Sequence, residues 1–308
     1  MGKTCIIVYH GVYSGMISLV GWGSMRNTFI GNDVRAVSAT RYVMPFREGG
    51  SLPGLVEASD DGMYVVKFFG AGQGPKVLVA ELVTGAIGRR LGLNVPELVL
   101  IDIPAAFGRI EPDPEIADLL DASVGMNLGL DYLPGALPVD ALSASMMEPR
   151  LAAEIVWFDA FTANVDRTTR NTNMLRWHDQ VWLIDHGAAI YPHHRWSDPA
   201  EQARRPFAAI SEHVLLPIAS SIVDADSRLI DRLSDDFLWE TVAAIPDDWL
   251  TLDPVIGNAD QQRKAYFTWL STRLHAPRVF VADAEAARTG TDVGAIDPDR
   301  RTRGRRRE

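Results

Sequence analysis

The segment Asp166-Arg167-Thr168-Thr169-Arg170-Asn171, followed fourteen residues later by Asp185-His186-Gly187, constrains this chain more than any other feature. Two short runs lie between them: Thr172–Trp177, and Val181–Ile184 with its β-branched and aromatic side chains. Both read as strands. His178-Asp179-Gln180 reads as the turn between them. On that register Trp177 lies opposite Val181, Leu175 opposite Leu183 and Asn173 opposite Asp185, with Asn171 just beyond. An amide and a carboxylate then meet at the open end of one hairpin. Both offer hard oxygen ligands of the kind that suit Mg²⁺. Asp166, on the loop leading in, is positioned to accept a proton from a hydroxyl. Taken singly, each residue is an ordinary turn former. The spaced set is what points to chemistry.

Upstream, Met63-Tyr64-Val65-Val66-Lys67-Phe68-Phe69 has a strand pattern with one charge in it. Alternation puts Lys67 on the face of Met63, Val65 and Phe69. A lysine on an apolar face needs a counter-charge or an anionic ligand, because burying it alone is costly. A helix expected over about Lys76–Leu91, stopping at Gly92, can supply one. Its Glu81 falls near Val77, Leu78 and Gly85 by helical spacing and faces inward with them. Lys67–Glu81 is therefore a candidate ion pair, with the lysine free to touch nucleotide phosphates. Two glycine-rich loops flank the strand, Gly49–Gly54 before it and Gly70-Ala71-Gly72-Gln73-Gly74 after it. Either can turn backbone N–H groups toward phosphate oxygens. Neither ends in the Gly-Lys-Ser/Thr of a Walker A loop.

A strand lysine, a helix glutamate, an Asp-x-x-x-x-Asn loop and a strand-end Asp-x-Gly follow one another in protein-kinase-like order. The stretch "NVDRTTRNTNML…VWLIDHGAAI", with "YVVKFFGAGQGPKVLVAELV", "NLGLDYLPGA" and "LIDHGAAIYPHHRW", resembles the HipA-like kinases in a shorter branch, over about Ala36 to Leu274. The resemblance implies an α+β, bilobal protein-kinase-like fold. Its N-lobe would hold an antiparallel sheet plus one main helix, and its C-lobe would be mostly helical. It implies that ATP and Mg²⁺ are bound, with Lys67 on the nucleotide phosphates and Glu81 holding Lys67. Asp166 would be the catalytic base, and Asn171 and Asp185 the metal ligands. The loop glycines Gly70, Gly72 and Gly74 would lie near the phosphates. Leu130, Asp131 and Tyr132, in a hinge over Asn127–Leu133, would present their backbone to adenine. The expected reaction moves the γ-phosphate to a hydroxyl, with a protein serine or threonine as the first choice. The alternatives are a small-molecule kinase and a nucleotide-binding regulator without catalysis. An antitoxin partner is permitted by the family, but nothing in this sequence supports one. His186 stands where the Asp-Phe-Gly pattern has phenylalanine, so packing at that position is expected to differ.

Composition narrows the rest. The chain has 308 residues, 47% of them hydrophobic, which is enough for a two-lobed enzyme. A single cysteine, Cys5, excludes an internal disulfide and agrees with a cytoplasmic protein. The net charge of −10 argues against broad nucleic-acid binding by the folded part. Only the arginine tail "DRRTRGRRRE" offers a basic surface for it. Residues 1–34 read as an arm or an over-long start, too broken by glycines for a membrane helix. The N-lobe and hinge are expected over 35–133, the C-lobe over 134–286, and a disordered basic tail over 287–308. Within the C-lobe, Pro149–Ala163 reads as a helix whose Leu151, Ile155, Phe158 and Thr162 share one face. Asp260–Leu274 reads as a second, and Phe207, Ile210 and Val214 fit a helical face between them. His193 or Arg195, in the segment after Asp185, is expected to meet substrate.

Overall fold

The computed structural model describes residues 34–46, 52–105 and 107–290 of the chain. The Gly49-Gly50-Ser51 part of the first glycine loop, the N-terminal arm and the arginine tail lie outside them. The fold mixes α and β. The chain opens with β1 (Arg35–Pro45), β2 (Gly54–Ala58) and β3 (Met63–Lys67), then α1 (Pro75–Arg90) and β4 (Leu98–Ile103). A short α2 (Pro114–Asp121) leads to β5 (Gly125–Asp131) and β6 (Leu137–Pro138). Next come α3 (Ala141–Ala144), α4 (Pro149–Thr162) and the hairpin β7 (Met174–Trp177) and β8 (Gln180–Leu183). The remainder is helical: α5 (Pro199–Ala203), α6 (Ile222–Leu229), α7 (Asp235–Ala243), α8 (Ala259–Leu274) and α9 (Val279–Thr289).

The expected antiparallel sheet is in fact a closed barrel in the order β1-β2-β3-β5-β4. The cause lies in β1. Its pairing with β2 slips between Ala39 and Arg41 and again between Tyr42 and Met44. Such irregularities bend and twist a strand. The bent N-terminal half, Arg35–Ser38, reaches β4 and pairs parallel with Val99–Asp102, which closes the barrel. Strands β1 and β4 then alternate between two apolar environments. Val56, Tyr64, Val66, Phe68, Val99 and Ile101 fill the barrel. Leu98, Leu100, Leu128 and Leu130 point the other way, into a second core that also holds α1. Lys67 belongs to this outer face of β3, as alternation predicts.

That second core is continuous from α1 through α4 to α8 and α9. The expected two lobes are therefore not two separate cores. Gly88 of α1 makes room for the Phe158 ring of α4: a Cβ there would lie 2.9 Å from Val95 Cγ2 and 3.1 Å from that ring. Helix α4 departs from the single-face expectation too. Ala152, Ala153, Val156, Trp157, Asp159, Ala160 and Phe161 are buried along with Ile155, Phe158 and Thr162. It is the central rod of the helical region, hydrophobic nearly all round. Phe207 and Ile210 are buried, but only the short 3₁₀ turn Ala208–Glu212 forms there. Helix α8 begins within one residue of its expected start, behind a capping box between Asn258 and Gln261. Helix α9 runs to Thr289, so the expected tail boundary falls inside it. Among the described residues no helix is long and apolar enough to cross a membrane.

The Gly88 contact yields a test. Gly88→Val should destabilise the protein by about 1–3 kcal/mol, the usual cost of forcing methyl groups into a filled core. Urea unfolding monitored by circular dichroism would read it.

Candidate active site

Each element delivers one or two side chains to a common region. Strand β3 ends on Lys67, whose Nζ donates to Glu81 Oε2 of α1 at 2.7 Å. The same ammonium donates to Asp185 Oδ1 at 2.5 Å, across 118 residues of sequence. Lys67 is buried, Glu81 fully so, and Asp185 keeps half its side chain exposed. Burial works against the Lys67 charge, but Glu81 and then Asp185 outweigh it and hold its pKa above the ordinary value. Burial likewise opposes the Glu81 charge. The Lys67 ammonium and the facing His186 ring overcome it and draw the carboxyl down to about 2. Gly187 explains the third position of Asp-x-Gly: a Cβ there would meet Val77 Cγ1 of α1 at 2.5 Å.

The hairpin forms with its register one residue from expectation. Met174 pairs with Leu183, Leu175 with Trp182, Arg176 with Val181 and Trp177 with Gln180. The turn is two residues long, and His178 and Asp179 both take positive φ, at 47° and 59°. That is the turn whose twist matches a hairpin. Asn173 accordingly accepts from the Ile184 N–H at 3.1 Å rather than lying opposite Asp185. The metal-ligand candidates still arrive at the open end of the hairpin. Asn171 Nδ2 donates to Asp166 Oδ2 at 2.8 Å, which leaves its Oδ1 oxygen available. Asn173 Nδ2 donates to the same Asp166 oxygen at 3.2 Å. Asn173 thus joins the Asp166–Asn171 pair to the segment that runs from β8 into Asp185.

A buried hub beneath the loop went unread in the sequence. Asp159 of α4 accepts from Arg167 Nε at 2.6 Å and from Asn164 Nδ2 at 2.9 Å, and meets His213 Nε2 at 2.8 Å. Arg167 also donates to the Asn173 and Thr172 carbonyls, and Asp166 N–H to Asn164 Oδ1 at 3.1 Å. Both flanks of Asp166 are thereby tied to one carboxylate. Burial opposes the Asp159 charge, but Arg167 and then His213 hold its pKa well below the usual range. The signal available was a carboxylate inside the apolar run Val156-Trp157-Phe158-Asp159-Ala160-Phe161. Nothing local pointed to His213.

The remaining candidates sit less directly. Gly70, Gly72 and Gly74 lie on the loop from β3 to α1. The Gly70 N–H donates to Ser123 Oγ and the Gly74 N–H to the Ala71 carbonyl. Leu130 and Asp131 end β5 rather than forming an open hinge. The Asp131 N–H bonds the Glu97 carbonyl and the Tyr132 N–H bonds the Met63 carbonyl, so both donors are spent. His186 is fully buried against the Phe158 ring. Its Nδ1 stands 3.5 Å from Glu81 Oε1, just outside a hydrogen bond. His193 is not a surface group. It is buried and faces Tyr266 Oη at 3.1 Å, which removes it as a substrate contact.

Chemically, the arrangement offers a buried ammonium, the three carboxylates of Glu81, Asp166 and Asp185, and a free amide oxygen. The oxygens of Asp185 and Asn171 fit a hard divalent cation. Residues 40–276 match the family model described as HipA-like kinase. No curated protein matches the chain. Among solved structures, a Helicobacter pylori proinflammatory kinase, CtkA, aligns with a TM-score of 0.48 and 14% identity, over 81% of this chain and 97% of that one.

Two buried carboxylates with depressed pKa set a pH dependence. The stability they contribute is complete above the ordinary carboxylate range, near 4.5 for Glu81, and is lost as pH falls toward 2. Acid unfolding of wild type should therefore steepen through that window. Asp159→Asn should flatten it and, at neutral pH, cost about 3–5 kcal/mol by leaving Arg167 buried and unpaired. Thermal melts from pH 7 to 2.5 would measure both effects.

Proposed function

Because the chain belongs to the HipA-like kinase family, we propose that it transfers the γ-phosphoryl group of ATP, with Mg²⁺, to a hydroxyl acceptor, with a protein serine or threonine first among candidates. The observation that carries this reading is the Lys67 ammonium, fixed between Glu81 at 2.7 Å and Asp185 at 2.5 Å. A buried cation so fixed is preorganised electrostatics, the main resource of phosphoryl-transfer catalysts.

In this reading Lys67 meets the nucleotide phosphates while Glu81 keeps it aimed. Asp185 and the free oxygen of Asn171 would hold Mg²⁺, which when bound neutralises charge on the transferred phosphoryl group. Asp166 accepts the hydroxyl proton. Its Oδ2 already takes two amide donors, Asn171 at 2.8 Å and Asn173 at 3.2 Å. Those bonds fix the carboxylate plane and leave Oδ1 for the acceptor. Adenine would lie against the backbone of Leu130, Asp131 and Tyr132 through carbonyl groups, since the N–H groups of the last two are bonded elsewhere. Of the glycines in the Gly70–Gly74 loop, Gly72 is the exposed one and the best suited to approach a phosphate.

Asp166→Asn should abolish transfer from γ-labelled ATP while ATP binding persists, and Lys67→Ala should lower transfer by about two or more orders of magnitude. Self-labelling and labelling of a cell lysate, with and without Mg²⁺, read both. Label on lysate proteins supports a protein acceptor. Full activity in Asp166→Asn would discard the base assignment, and ATP binding with no transfer in wild type under any acceptor would support a non-catalytic nucleotide-binding role.

A further inference from the structure

A cavity of about 430 Å³, which no step above uses, lies at the C-terminal end of α4. Ala163, the left-handed residue that ends α4, forms one wall. The segment after Asp185 contributes Tyr191 and Arg195, the chain beyond α5 contributes Arg205 and Phe207, and α8 contributes Trp269 and Arg273. The volume falls within the about 300–1,000 Å³ typical of small-ligand pockets.

Its electrostatics are one-sided. Arg273 is buried, yet among the described residues it makes no ion pair. Its guanidinium instead donates to the carbonyls of Ala160, Phe161 and Ala203, at 2.6, 2.8 and 2.9 Å. Two of these close the C-terminal turn of α4, where a cation is favoured. Burial pulls the Arg273 pKa down to about 9, with Asp283 partly restoring it, so it stays charged at neutral pH. Arg195 is exposed and has no acidic partner among the described residues. Arg205 meets only Glu201 at 3.3 Å, and both side chains are largely exposed, an arrangement worth little. His194 also lines the cavity, but burial and the nearby Lys76 hold its pKa down, so it adds no charge at neutral pH. Trp269 is fully buried, and its Nε1–H, like those of Trp182 and Trp196, has no hydrogen-bond partner; of the three, Trp269 lines the cavity. This positive concentration sits on a chain whose net charge is −10.

We infer that the cavity is a binding site for a phosphoryl oxyanion carried on a small organic body, held by Arg195, Arg205 and the Trp269 Nε1–H. Arginine forks suit the oxyanion, and the orphan indole donor gains an acceptor. The Tyr191, Phe207 and Trp269 rings give the organic part an apolar wall. Arg273 supplies a fixed positive field behind them.

Calorimetric titration of the full chain with O-phosphoserine, and separately with inorganic phosphate, tests this. O-phosphoserine should bind wild type, and the double variant Arg195→Gln/Arg205→Gln should bind at least about tenfold more weakly, having lost its charge-assisted bonds. Both arginines are exposed, so the fold should be unaffected. Trp269→Phe, which keeps a ring but removes the N–H, should weaken binding several-fold. Lys67→Ala should bind as wild type, which separates this cavity from the nucleotide site. Tighter binding of O-phosphoserine than of phosphate supports the organic phosphoryl ligand, and equal binding of the two would overturn the organic body. Absence of binding by both probes, or loss in Lys67→Ala with the arginine variant intact, would overturn the inference.

Discussion

The Lys67 ammonium ties together three parts of the chain. Strand β3 brings it from the barrel, Glu81 comes from α1, and Asp185 comes from just beyond β8. A lysine this buried is tolerated only because two carboxylates surround it. The arrangement therefore fixes the outward face of the barrel, the roll of α1 and the position of the hairpin together. Gly187 and Gly88 serve the same end, since both let α1 come close where a side chain would hold it off.

Asp159 does for the loop what Glu81 does for the lysine. Three donors converge on a carboxylate inside the central helix, and Arg167 carries the restraint on to the Asn173 carbonyl. The backbone on both sides of Asp166 is consequently held by buried groups, while its carboxylate is bonded by the exposed Asn171 and the buried Asn173. Rigid support beneath an exposed acid is what positional catalysis requires. The site thus rests on two buried ion networks, one in α1 and one in α4, joined by the shared core between those helices.

Much of this was legible because charge on an apolar face demands an explanation. Lys67 on a β strand and Glu81 on the inner face of a helix each pointed to a partner, and alternation fixed which side of β3 they met on. Spacing alone brought Asp166, Asn171 and Asp185 to one end of a hairpin. Where the reading slipped, the determinants were conformational. The one-residue register error came from His178 and Asp179 both adopting positive φ, which side chains of their kind do not announce as glycine would. Barrel closure depends on bulges in β1, a strand with no internal glycine or proline to mark them. The spent N–H groups of Asp131 and Tyr132 follow from strand pairings that only the closed barrel creates. Asp159 was detectable in principle, as a carboxylate within an apolar helical run, but its partners Arg167 and His213 are assembled by tertiary structure.

The dependence of the site on the Lys67–Glu81 pair can be measured directly by a double-mutant cycle read in phosphate transfer from ATP: wild type, Lys67→Ala, Glu81→Gln and the double variant. If Glu81 acts by aiming Lys67, Glu81→Gln lowers transfer in the wild-type background and costs nothing further once Lys67 is gone. Losses that simply add would contradict the account, because Glu81 would then act on the reaction independently of the lysine it holds.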